Sequence, residues 1–164
     1  MYLHPAKAAS SQPVNLNMKS LEELKQNLES KMPGVTSVLE EGCLVISKND
    51  WLEVAKFLKS SPLYSFDYLS SVTGVDYPDR LEAVYHLYSI EKKIGPLTVK
   101  VRTDRQKGEI PSVTPVWRSA EFQEREAFDL LGIHFTGHPD LRRILMWEGF
   151  AFHPLRKDYV AEND

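Results

Sequence analysis

Glu124, Arg125, Glu126 and Asp129 bring three carboxylates and a guanidinium within one and a half helical turns. Paired carboxylates can work as general acid and base when they face each other across a cleft, about 5 to 9 Å apart in glycosidase-like sites. Consecutive helical residues point in different directions, so Glu124 and Glu126 do not form such a pair, and Arg125 and Asp129 are the natural i, i+4 partners. A salt-bridged helix is the expectation. His134 and His138 have the i, i+4 spacing of a zinc-binding helix, but Phe135-Thr136-Gly137 and Pro139 break any helix there. Phe135 also stands where the metalloprotease pattern needs glutamate. His138, just before Pro139, is expected to donate to a carbonyl or carboxylate and fix a turn. His86 and His153 read as structural histidines. Cys43 lies in an apolar strand without a neighbouring base and is expected to be inert. The eight glycines form neither a dinucleotide nor a phosphate-loop fingerprint. No catalytic, cofactor-binding or metal-ligating residue is expected on this chain.

The remaining concentration of charge is Arg142-Arg143 and Arg156-Lys157, interleaved with Asp140, Glu148 and Asp158. These sit beside Leu141, Ile144, Leu145, Met146 and Trp147. Arginine's planar fork among apolar side chains is what protein interfaces enrich, so this segment reads as a docking surface.

The elements that must hold these groups follow from periodicity. Ser20-Leu21-Glu22-Glu23 has the form of a capping box, and Leu21, Leu24 and Leu28 recur at helical spacing until Pro33-Gly34, which gives a helix over about 20–31. Val35–Leu39 and Cys43–Ser47 are two short strands around Glu40-Glu41-Gly42. Asn49 or Asp50 can cap a second helix whose apolar stripe runs from Trp51 to Leu58 and ends at Ser60-Ser61-Pro62. Phe66–Val72 then precedes a turn-rich Thr73–Asp79. The run from Leu81 to Ile90 is apolar on both alternating sets, and Leu97, Val99 and Val101 alternate cleanly with polar neighbours. Gly95-Pro96 is expected to be the hairpin connection between these two strands. After a proline-broken stretch, Ile110–Trp117, a third helix runs over about 119–131 and ends at Gly132. The remaining residues lack periodicity and are not expected to build a core of their own. The pattern predicts an α+β fold: a mixed or antiparallel sheet with helices packed on it over 18–132, a flexible tail over 1–17, and an extended irregular C-terminal extension over 133–164 that docks on a partner.

Composition bounds the function. With 164 residues, 42% of them hydrophobic, the chain can bury a core and is the size of one domain. One cysteine excludes a disulfide framework, a four-cysteine zinc site and any iron–sulfur cluster held by this chain alone. A formal charge of −3 argues against nucleic acid as a partner. The N-terminal residues hold no apolar run of secretion-signal length, and no stretch approaches the roughly 20 apolar residues that span a bilayer. A cytoplasmic location is expected, with any membrane address supplied by a partner.

Taken together, Glu124-Arg125-Glu126, Asp129-Leu130-Leu131, Gly132-Ile133, His138, Arg142-Arg143 and Leu145-Met146 form a string that closely resembles the 30 kDa, or C-type, subunit family of respiratory complex I, the NADH-quinone oxidoreductase. Phe66-Asp67-Tyr68-Leu69, Val75-Asp76-Tyr77-Pro78 with Asp79-Arg80, Tyr85–Ser89, Pro111-Ser112-Val113 and His153-Pro154-Leu155-Arg156-Lys157-Asp158-Tyr159 are similar to it too, so the resemblance runs from about 20 to 160. Gly149-Phe150-Ala151-Phe152 departs from it, since relatives tend to carry Gly directly ahead of His-Pro-Leu-Arg. The resemblance implies a non-catalytic structural subunit of the enzyme's peripheral arm, on the cytoplasmic face of the inner membrane. In that family FMN, the iron–sulfur clusters and quinone are held by other subunits. The implied partners are the large quinone-site subunit, the 49 kDa or D type, and the B, I and G iron–sulfur subunits. Arg142, Arg143 and Arg156 are then expected to pair with acidic or carbonyl groups on that partner, or with Glu124, Glu126 and Asp129. Two alternatives remain: an equivalent scaffold in a membrane-bound hydrogenase or ferredoxin-dependent quinone oxidoreductase, and a small independent hydrolase using Glu124, Asp129 and His138.

Overall fold

The computed structural model describes residues 15–161. Of the expected flexible tail, residues 1–14 lie outside the described residues. Helix α1 (Met18–Lys31) buries Leu21, Leu24 and Leu28. Its start corrects the capping-box expectation: Asn17 is the cap, its side-chain oxygen accepting from the Ser20 amide at 2.9 Å and the Ser20 hydroxyl at 3.0 Å. Strands β1 (Ser37–Glu40) and β2 (Cys43–Ile46) form the expected antiparallel pair. Helix α2 (Trp51–Ser60) buries Trp51, Val54, Ala55 and Leu58, as its apolar stripe predicts. Asp50 precedes it without capping it, because its carboxylate accepts from the Thr36 amide at 3.0 Å instead.

Strands β3 (Tyr68–Asp76), β4 (Arg80–Ser89) and β5 (Ile94–Asp104) complete a five-stranded sheet in the order β1-β2-β5-β4-β3. Only the β2–β5 pair is parallel, so the sheet is mixed and the fold α+β, as expected. Leu81, Ala83, Tyr85 and Leu87 of β4 and Leu97, Val99 and Val101 of β5 share one face and join the α1 and α2 side chains in the core. On the alternate positions Glu82 of β4 lies opposite Arg102 of β5, which binds it at 2.9 Å and also pairs with Glu40 of β1.

Two readings of glycine are corrected. Thr73–Asp76 is not a turn: it is the second half of β3, with Gly74 directly opposite Ala83. Gly74 is small because helix α3 (Ala120–Leu131) crosses here, and a Cβ at this position would run into the Leu131 side chain. Gly95-Pro96 is not the hairpin connection either. It lies inside β5, where the register slips between Leu87 and Ser89 of β4, and the turn is made by residues 90–93. An irregular step is where a residue without an N–H does least harm to a ladder.

Inside the proline-broken stretch, β6 (Glu109–Pro111) pairs in parallel with β7 (His134–Thr136). Ile110, Ile133 and Phe135 are fully buried in the common core, so the chain beyond Gly132 first contributes to the domain before leaving it. Residues 137–161 then carry no helix or strand. Among the described residues no helix is long and apolar enough to cross a membrane.

Replacing Gly74 by Val should lower stability by about 1 to 3 kcal/mol, the usual cost of overpacking. The readout is a lower denaturation midpoint with an unchanged denaturant slope.

Candidate functional site

Helix α3 ends at Gly132, whose left-handed conformation (φ 71°) turns the chain back toward the helix. An α-helix leaves its last four carbonyls without partners, and in α3 all four are met. Phe128 accepts from the Gly132 amide at 2.8 Å. Asp129 accepts from Arg143 Nη1 at 3.0 Å and from His153 Nδ1 at 3.1 Å. Leu130 accepts from the Leu155 amide at 3.0 Å, and Leu131 from Arg156 Nε at 2.7 Å. Three of the four are served by the irregular tail. Two of its guanidinium groups, those of Arg143 and Arg156, sit at the negative end of the helix dipole, where positive charge is favoured.

The Asp129 side chain points into the same tail. Its Oδ2 accepts from the consecutive amides of Ile144, Leu145 and Met146 at 3.0, 2.7 and 2.9 Å, and its Oδ1 from Arg143 Nη1 at 2.6 Å. Burial opposes the charge, but the three amides and Arg143 outweigh it and hold the Asp129 pKa down to about 2. One carboxylate thus fixes the backbone of three consecutive tail residues and the side chain of a fourth. The expected Arg125–Asp129 pair is not made. Arg125 instead donates to the carbonyls of Arg142 and Arg143, both at 3.2 Å, because its partly buried guanidinium lies where the tail passes.

Glu124 is fully buried on the opposite side of α3. It accepts from the Ser112 hydroxyl at 2.5 Å, the Val113 amide at 2.8 Å and the Thr114 hydroxyl at 3.1 Å, tying the segment after β6 to the helix. Burial pushes its pKa up; the hydroxyls and amide, with His138 beyond them, pull it back only in part. His138 does what its place before Pro139 suggested. Its Nε2 lies 3.0 Å from the Glu121 carbonyl, and its Nδ1 accepts from the Asp140 amide at 3.0 Å, closing a turn. His134 is not beside it but packs edge-on against Phe128, and among the described residues no three His, Cys, Asp or Glu side chains converge as metal ligands.

The other residues singled out in the sequence divide cleanly. Glu126 is exposed beside the groove between α3 and β3, and Arg142 is exposed and pairs only with Asp140, at 2.8 Å. Neither Glu124 nor Glu126 is the arginine partner that the sequence suggested. The far end of the tail is held by residues that pattern alone did not single out as anchors. Asp76, buried at the end of β3, accepts from the Lys157 amide at 2.8 Å and pairs with Arg105. Arg105 also binds Asp158 at 2.8 Å. Between the two anchors the tail builds an aromatic cluster of its own, contrary to expectation: Phe150 lies 4.6 Å from Trp147, 5.9 Å from Phe152 and 6.3 Å from Tyr159, centre to centre. Leu145, Trp147, Phe152, Leu155 and Val160 remain more than half exposed. The arrangement turns Arg143 and Arg156 inward, leaves Arg142, Glu148 and Lys157 exposed, and presents several apolar side chains outward.

A sequence model described as the respiratory-chain NADH dehydrogenase 30 Kd subunit matches residues 44–164. The chain belongs to that family. Among curated relatives it is 46% identical over 123 residues to the C subunit of NADH-quinone oxidoreductase from Moorella thermoacetica, covering 74% of this chain and 81% of that protein. It is 52% identical over 114 residues to the second C subunit of NADH-quinone oxidoreductase from Rhizobium meliloti, covering 66% of this chain. It spans only about 60% of the length of that relative. Among solved structures, a trypsin-resistant fragment of Nqo5 shares 31% identity with a TM-score of 0.56, over 74% of this chain and 98% of the fragment. A chain of the archaeal membrane-bound sulfane sulfur reductase complex has the same fold, with a TM-score of 0.65 over 85% of each chain at 23% identity. Of the residues that carry the family resemblance, the string from Glu124 to Met146 and the run from His153 to Tyr159 lie here on α3 and on the tail that satisfies its C-terminal end.

Two outcomes test this geometry. A Cβ on Gly132 would lie 2.6 Å from the His153 ring and 2.8 Å from Arg156 Nη2, besides being strained at positive φ. Gly132→Ala should therefore free residues 153–158, seen as their faster amide exchange while β4 and β5 stay protected. Asp129 has a depressed folded pKa, so the stability it contributes is complete above the ordinary carboxylate value and is lost as pH falls through about 2. Asp129→Asn should destabilise the tail by about 3 to 5 kcal/mol, because Arg143 loses its buried counter-charge, and should flatten that acid limb in a pH-resolved unfolding series.

Proposed function

We propose that this chain is a non-catalytic structural subunit of the peripheral arm of an NADH-quinone oxidoreductase, and that the segment 141–160 docks on a cofactor-bearing neighbour. The observation that carries the reading is the tail's apolar outer face: Leu145, Trp147, Phe152, Leu155 and Val160 face out, while Arg143, Arg156 and the Lys157 amide turn inward onto α3 and β3, and the Arg142, Glu148 and Lys157 side chains are exposed as well. Apolar aromatic side chains rimmed by charges are what the core of a protein interface requires.

The chemistry of the carboxylates supports a passive role. Glu124 and Asp129 are both shielded from solvent and engaged by three and four fixed donors, so neither is open to a substrate, and the hydrolase alternative lacks an accessible acid–base pair. The single cysteine leaves iron–sulfur clusters to other subunits. In this reading FMN, the clusters and quinone belong to partners, the large quinone-site subunit of the D type with the B, I and G iron–sulfur subunits. The chain reaches the cytoplasmic face of the membrane only through them. The relatives named as C subunits of NADH-quinone oxidoreductase support that complex over the other respiratory scaffold, whose likeness extends to the fold alone. Electron transfer between fixed centres needs neighbours held rigidly, which a clamp of this kind supplies by burying apolar area.

Leu145→Ser combined with Trp147→Ser should leave the isolated chain folded, since both side chains are exposed, yet reduce its recovery with the solubilised complex by tenfold or more. Turnover per assembled complex should be unchanged. Normal assembly with lost turnover would overturn the scaffold reading.

A further inference from the structure

The imidazole of His138 is wholly covered by its surroundings, and both of its nitrogens are engaged. A backbone amide can only donate, so the Asp140 N–H at 3.0 Å from Nδ1 requires that Nδ1 carry a lone pair. The proton of the neutral ring is then on Nε2, which faces the Glu121 carbonyl at 3.0 Å and, further off, Glu124 Oε2 at 4.0 Å. From this geometry we infer that His138 is a proton-operated latch on the start of the tail: neutral, it closes the 138–140 turn; protonated, it opens it.

A second proton can enter only at Nδ1, where it would meet the Asp140 N–H head-on, two donors with no acceptor between them. The Nε2 side keeps the Glu121 carbonyl as its acceptor, so the imidazole stays seated and the turn gives way. The charged groups around the ring set how the turn responds. From α3 these are Glu124 and Arg125; from the turn itself, Asp140 and Arg142; the 112–114 segment contributes only the Ser112 and Thr114 hydroxyls. Asp140 pairs with Arg142 and lies 4.0 Å from Arg125, whose guanidinium grips the carbonyls of residues 142 and 143. Its carboxylate, on the same residue as the amide that Nδ1 holds, can answer a new Nδ1–H, and in doing so would draw Asp140 away from both arginines. His153 differs: its Nδ1–H already donates to the Asp129 carbonyl, so a proton added at its other nitrogen breaks no bond. The latch belongs to this chain itself, whatever the tail docks on, so its failure would leave the scaffold reading standing.

The test uses the full chain. Side-chain nitrogen NMR at neutral pH should show His138 as the Nε2–H tautomer and His153 as the Nδ1–H tautomer. Amide exchange of Asp140 and Arg142, whose N–H groups belong to this turn, corrected for intrinsic rates, should accelerate on acidification. The limiting slope is about tenfold per pH unit for one proton taken up on opening. His138→Gln keeps an acceptor for the Asp140 amide without a titrating group, and should abolish this slope, whereas His153→Gln should retain it. An Nδ1–H tautomer for His138, or the same slope in His138→Gln, which would assign the effect to Glu124, overturns the inference. Should His138→Gln fail to fold, the tautomer measured on the unaltered chain decides alone.

Discussion

The C-terminal end of α3 sets the terms for the rest of the molecule. A helix that stops inside a structure must find donors for four carbonyls, and an unpaired buried carbonyl costs free energy on the scale of a lost hydrogen bond. Here the donors come from Gly132 at the cap and from Arg143, His153, Leu155 and Arg156, the last four spread over a segment with no helix or strand. The tail's path is dictated by where those carbonyls point. Two of the arginines that looked like hooks for a neighbour, Arg143 and Arg156, are held at home, while Arg142 stays exposed among apolar side chains.

Two buried carboxylates on one helix show how donor chemistry decides charge. Asp129 faces a guanidinium and three aligned amides, and its proton is held off far into acid. Glu124 faces two hydroxyls and one amide, with no cation in contact, and burial raises its pKa. Lowering the pH therefore weakens the fold through Asp129, while Glu124 works the other way, its neutral form being the one favoured inside. The two groups are five residues apart and oppose each other because they lie on different faces.

Much of this architecture was legible beforehand, for reasons that particular residues make plain. Leu21, Leu24 and Leu28, the stripe from Trp51 to Leu58, the alternation of Leu97, Val99 and Val101, and Gly132 as a stop are local signals, and local signals survive folding. Gly74 and Gly95-Pro96 misled because glycine marks close approach and register slips as well as turns, and only the position of α3 or β4 tells which. The site was half readable. Glu124, Asp129, Arg143 and His153 stood out by type, but their partners are amides and carbonyls, which every residue carries and no side-chain pattern advertises. Arg105 and Asp76 lie 29 positions apart and met only through the sheet. The aromatic cluster around Phe150 escaped notice because its spacing obeys neither helical nor strand period.

Anchorage at both ends changes what kind of partner encounter this segment can have. Fastened to Asp129 at one end and to Asp76 and Arg105 at the other, it is a closed loop rather than a free arm. A free arm must surrender its conformational disorder at the moment of contact; a loop already shaped has surrendered it during folding. Complementarity then acts as between two preformed solids, and differences in grip among related partners fall mainly on how long the pair stays together rather than on how fast it forms.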